Sequence, residues 1–150
     1  TGYKFNFTEL DNGIVFKDDN LTVEAFKVNH GEFEDAYGFR FTSKDKVIVF
    51  SGDTGPSKSL EDYAKDADIL VHEVYSYAGF LKKTKDWQIY HKSHHTSTYE
   101  VGEIASRAKP KLLVLSHILF WGADEQDILE ETRTTFSGNI KIAEDLMVIK

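Results

Sequence analysis

The apolar run Val47–Phe50 stops at Ser51-Gly52-Asp53-Thr54-Gly55, and similar endings recur along the chain. The segment FKVNHG ends on His30, LLVLSH ends on His117, and His95 stands just before a segment with helical spacing. Side chains at the carboxyl ends of neighbouring strands converge on one rim of a sheet, where α/β proteins keep ligand sites. Asp53 alone has two readings, a turn carboxylate that caps the next element or a metal ligand held at that rim. Two imidazoles and a carboxylate suit Zn²⁺, Mn²⁺ or Fe, since these donors range from borderline to hard.

The order of elements narrows the fold. Alternating aromatic residues at Tyr3, Phe5 and Phe7 predict a strand, turned by Asp11-Asn12-Gly13. Further strands are predicted at 14–16, 21–28, 37–42 and 47–50, then a helix at 60–67 and a short buried strand at 69–74. Residues 75–95 read as a long polar and aromatic loop. Ser97 and Glu100 fit a capping box, and Val101, Ile104, Ala105 and Ala108 repeat at helical spacing up to Lys109-Pro110. A buried strand at 112–115, a polar helix at 124–136 and strands near Ile140 and Met147 complete the chain. Strands first, then strand and helix in alternation, describe one layered α/β (α+β) domain spanning residues 1–150.

Bulk properties exclude several classes. A net charge of -7 opposes broad nucleic-acid binding by simple attraction. No apolar stretch reaches the roughly 18 residues of a membrane span. Cysteine is absent, so disulfides and thiolate metal sites are excluded. The compartment stays open, with the cytoplasm favoured.

The pieces GIVFKDDNLTVEAFKVNHG, YGFRF, VIVFSGDT, DILVHE, HTS and LLVLSHI, in that order over residues 13–118, resemble the metallo-β-lactamase fold. Within it they are similar to the ribonuclease Z-like metallohydrolases. The resemblance implies a metal-dependent hydrolase with two metal ions, zinc first among them. It implies that His30 binds one metal, that Asp53 bridges both, and that His117 binds the second. It further implies that Glu73 and His95 act together on the leaving group. A helix amino end beside His95 would disfavour its cationic form, and a nearby carboxylate would restore it. Strand alternation turns His72 to the other face from Glu73. His91 and His94 match nothing in the family and are expected to be solvated.

The sequence departs from the family in two ways. The HxHxDH motif, which supplies the remaining ligands, is absent from these residues. The chain therefore resembles the carboxyl-terminal half of an αββα sandwich, inactive alone, completed by an amino-terminal half or a homodimer partner. Phe5, Phe7, Phe16, Phe26, Phe39 and Phe41 are the expected inter-sheet contacts. Ribonuclease Z enzymes also carry a long tRNA-gripping arm between the positions matching His30 and Asp53, where only 22 residues stand here. That favours a small anionic ester such as a phosphodiester and makes tRNA an unexpected substrate. The alternative is a non-catalytic half that binds a partner chain supplying the rest of the site. Residues 81–92, with Lys82, Lys83, Lys85, Lys92, Trp87 and Tyr90, are either a cationic, aromatic lip for such a substrate or a solvated loop.

Overall fold

The computed structural model describes residues 2–4, 6 and 8–149. Their elements are β1 (Gly13–Lys17), β2 (Leu21–Lys27), β3 (Tyr37–Ser43), β4 (Val47–Phe50), α1 (Lys58–Tyr63), β5 (Ile69–Tyr75), α2 (Tyr77–Leu81), α3 (Lys85–His94), α4 (Thr98–Ala108), β6 (Leu112–Leu119), α5 (Glu125–Arg133) and β7 (Ile140–Ile142). The strands form one mixed sheet in the order β1 to β7.

Strand direction places the site. β2 and β4 are each antiparallel to β3, so they run the same way, and β4 to β7 are parallel. The carboxyl ends of β2, β4, β5 and β6 therefore share one rim. A helix face backs the sheet: Phe26, Leu70, Val74, Leu113 and Leu115 pack on Leu60 of α1, Ile104 of α4 and Ile128 of α5. Full burial of each such side chain contributes roughly 1.5–3 kcal/mol. α4 is held at both ends. Ser97 and Glu100 complete the capping box, and Lys109 closes the helix in the left-handed region at φ 57°.

Four expectations are corrected. Residues 75–95 are not a loop but carry α2 and α3; the Ser76 hydroxyl accepts from the Gly79 amide and starts α2. α3 escapes detection in the sequence because the one residue it buries is His94, which leaves no hydrophobic period. Phe26 faces the helices rather than an opposing sheet, stacked at 4.3 Å on Tyr63. No strand forms near Met147, where Leu146 turns the chain at φ 63°. Tyr3 lies outside any strand and is exposed, while Phe5 and Phe7 fall outside the described residues.

The opposite face carries Phe16, Phe39, Phe41 and Phe50, with Phe16 49% and Phe50 42% exposed. A concavity of about 380 Å³ lies there, lined by Phe39, Phe41 and Phe50 and reaching Asp53, Glu73 and His117. No helix among the described residues is long and apolar enough to cross a membrane.

Candidate active site

The loop after β4 turns sharply because Gly52 adopts φ 63°, and a Cβ there would meet the Tyr37 carbonyl oxygen at 2.5 Å. That turn delivers Asp53 to the rim. His117 arrives by a different device. The β5–β6 register runs Glu73↔Ser116 and then Val74↔Ile118, so His117 is the extra residue of a β-bulge. Its φ of 42° is a left-handed conformation that a non-glycine residue keeps only where its surroundings enforce it. His117 is thus inside a longer strand, not at the end of one. The bulge is what brings it to the rim.

Glu73 and His95 form a buried pair. Glu73 Oε1 lies 3.2 Å from His95 Nδ1 and accepts from the amides of Thr54 at 3.2 Å and Thr96 at 3.1 Å. The Glu73 amide donates to the Ser51 hydroxyl, and the Thr96 hydroxyl donates to the Thr54 carbonyl. Burial pushes the Glu73 carboxyl above its ordinary range, against the opposing pull of His95 and the two amides. Burial alone would lower the His95 pKa. Contact with Glu73, helped by the charge of Asp53, outweighs it and raises the imidazole above its ordinary value. His95 precedes the amino end of α4, whose N-cap is Ser97, as expected, and it is also the carboxyl-terminal cap of α3, with its amide donating to the His91 carbonyl. The carboxyl end of α3 favours a cation there, while the amino end of α4 opposes it.

Asp53, His95 and His117 each offer one ligand atom, all within 4.8 Å of one another. Metal bonds of about 2.0–2.2 Å would place two ligands up to roughly 4.4 Å apart, so small rotations bring these atoms into range. The Asp53 and His117 side chains, 45% and 50% exposed, have room for them. Their 3.6 Å separation is too long for a hydrogen bond, which leaves lone pairs of both for an ion. Glu73 occupies His95 Nδ1, so Nε2 is the nitrogen left to face the group. The fit to a borderline divalent metal is good.

His30 is not in that group. It stands beside it, with its ring 5.4 Å from His95 and Nδ1 2.8 Å from the His94 carbonyl. A proton on Nδ1, donated to that carbonyl, leaves Nε2 unprotonated, the tautomer that metal-binding histidines use. His94, expected to be solvated, is buried at 2% exposure. Its ring presses on Gly31, where a Cβ would lie 2.2 Å from Nε2 and φ is 59°. The glycine after His30 is thereby explained. His72 is fully buried on the helix face, as alternation requires.

The chain matches the model of the β-lactamase superfamily domain over residues 3–118, most of its length and every site residue named above. It belongs to that superfamily. As a superfamily member of metallo-β-lactamase fold it is ribonuclease Z-like. It is 36% identical to ribonuclease Z of Archaeoglobus fulgidus over 108 residues, 71% of this chain and 33% of that protein. It is 26% identical to ribonuclease Z of Bacillus velezensis over 199 aligned positions, 98% of this chain and 62% of that protein. The metallo-β-lactamase fold protein YhfI from Bacillus subtilis superposes with TM-score 0.70 at 23% identity, covering 86% of this chain and 49% of that one. Human tRNase Z, short form, gives 0.64 at 22% identity, covering 91% and 46%. This superfamily member therefore spans between a third and two thirds of these relatives.

Burial gives His72 a titration signature. Its imidazole is pushed down to about 4 from 6.5, and its Nδ1 sits 2.6 Å from the Glu73 carbonyl oxygen. Between those two values the unfolded chain binds a proton that the folded chain rejects. Stability should fall as pH drops from 6.5 towards 4, by about 3 kcal/mol from this group, with no further loss from it below that. Glu73 and His95, both raised, act in the opposite direction, so the loss from His72 is read as the difference in urea-unfolding slope between the unsubstituted protein and His72→Leu.

Proposed function

We propose that this chain carries one share of a metal-dependent hydrolase acting on a phosphodiester or a related ester with an anionic leaving group. The observation that carries the reading is the convergence of Asp53, His95 and His117 on one rim, with Glu73 behind His95. Asp53 and His117 would hold a metal, with His30 approaching from the end of β2; zinc suits the donors best, and manganese or iron also fit. Bound there, the metal supplies positive charge that stabilises negative charge developing in the transition state. His95 presents its Nε2 proton to the departing oxygen. Glu73 holds the Nδ1 proton and offsets the imidazolium charge, while the Thr54 and Thr96 amides keep its carboxylate in place.

The absent HxHxDH motif leaves each of two metals about half its ligands. The remaining ligands, and a second sheet over Phe16, Phe39, Phe41 and Phe50, would come from further sequence or from another chain. The exposed aromatic face favours a second reading as well, a non-catalytic half that binds such a partner. The 22-residue interval between His30 and Asp53 favours a small substrate, but relatives named ribonuclease Z and tRNase Z give no support to excluding tRNA.

Hydrolysis of bis(p-nitrophenyl) phosphate with Zn²⁺ or Mn²⁺ tests the proposal. The chain alone should turn over negligibly, and joined to a half bearing HxHxDH it should become active and lose activity to a chelator. A joined, metal-loaded protein that associates but hydrolyses no ester would favour the second reading.

A further inference from the structure

Trp87 and His91 lie one turn apart on α3, His95 caps its carboxyl end, and Lys83 stands just before its amino end. Their rings touch in series. The Trp87 and His91 centroids are 4.0 Å apart, and those of His91 and His95 are 5.5 Å apart. Trp121 runs alongside, 5.6 Å from Trp87 and 4.8 Å from His91. The Lys83 ammonium stands over both indoles, at 5.2 Å and 5.5 Å.

A solvated amphipathic helix does not account for this. Trp87 is 46% exposed, and its neighbours Ile89 and Tyr90 are 72% and 50% exposed. Trp121 holds φ 47°, a conformation that a bulky side chain keeps only under constraint. Residues 82–92 carry four lysines and one aspartate in a chain of net charge -7. The row of rings thus runs from His95 at one end to Trp87 and the Lys83 ammonium at the other, with most of the positive charge at the Lys83 end.

We propose that this stripe is a leaving-group subsite that stacks a planar ring of an anionic ester on Trp87, with Lys83 beside it for the anion. The occupant is an aryl or nucleoside phosphate rather than a simple alkyl phosphate. The inference rests on the reading of His95 as the group facing the leaving oxygen. It adds a specificity surface that extends from that histidine. Stacking of a base on an aromatic side chain typically strengthens binding roughly 10- to 100-fold.

Both tryptophans of the chain lie in the stripe, so tryptophan fluorescence, excited beyond tyrosine absorption, reports on it alone. The chain, held in chelator, is titrated with adenosine 5′-monophosphate, ribose 5-phosphate and adenosine. The nucleotide should quench saturably, and the ringless phosphate and the uncharged nucleoside should each bind at least about tenfold more weakly. Trp87→Ala, with Trp121 still reporting, should weaken nucleotide binding roughly 10- to 100-fold, and Trp87→Phe should restore most of it. Equal binding of ribose 5-phosphate, or unchanged affinity in Trp87→Ala, would overturn the subsite. Because the titration contains no metal, its failure leaves the hydrolytic reading standing, and failure of hydrolysis leaves the titration unaffected.

Discussion

Asp53→Ala is expected to cost the completed protein its metal and its turnover together. Asp53 reaches the rim only through the turn at Gly52, and it supplies the one carboxylate in the group with His95 and His117. Glu73 cannot replace it. Its Oε1 is already held by His95, Thr54 and Thr96, its Oε2 is buried, and its backbone sits in β5. Loss of a partner that merely orients a ligand typically costs about 10- to 100-fold in metal affinity. Loss of the carboxylate ligand itself should exceed that, so metal should be undetectable after dialysis at levels that leave the unsubstituted protein loaded. Folding should survive, because Asp53 is exposed and outside the core. Metal analysis beside a urea melt checks both parts. A loaded Asp53→Ala protein would return Asp53 to the status of a turn residue.

His95→Ala is expected to behave differently. With His95 as proton donor, the substitution should leave metal content unchanged and lower turnover about 10²- to 10⁴-fold on esters whose leaving oxygen needs a proton. Nitrophenolate leaves with little help, so nitrophenyl esters should lose far less. Glu73→Gln should follow the same pattern more mildly, since the imidazole stays and only its charge partner goes. The structure makes this contest sharp, because it also places His95 among the three candidate ligands. Metal lost from His95→Ala would make His95 a ligand and remove it as the proton donor.

The site is more legible in the sequence than the elements around it. β4 matches its predicted bounds because four apolar residues between a turn and a glycine leave no alternative. Strand direction sends the segments that carry Asp53, Glu73 and His117 towards one rim. His117 is found for an incomplete reason: β6 continues to Leu119, and only the bulge makes the residue available. A bulge leaves no mark on hydropathy. α3 is missed because the one residue it buries is His94, which hydrophobic periodicity does not register. The burial of His94 beside Gly31 and the latching of Glu73 by the Thr54 and Thr96 amides are equally hidden. Such contacts join residues far apart in the chain, and local pattern carries no trace of them.

The most direct test is an anomalous difference map from crystals of the completed protein loaded with Zn²⁺. A peak is expected at the rim within about 2.0–2.2 Å of the Asp53 carboxylate and of a His117 ring nitrogen, with His30 approaching from the other side. An empty rim at full metal loading, or a peak seated instead on His91 and His94, would contradict this expectation.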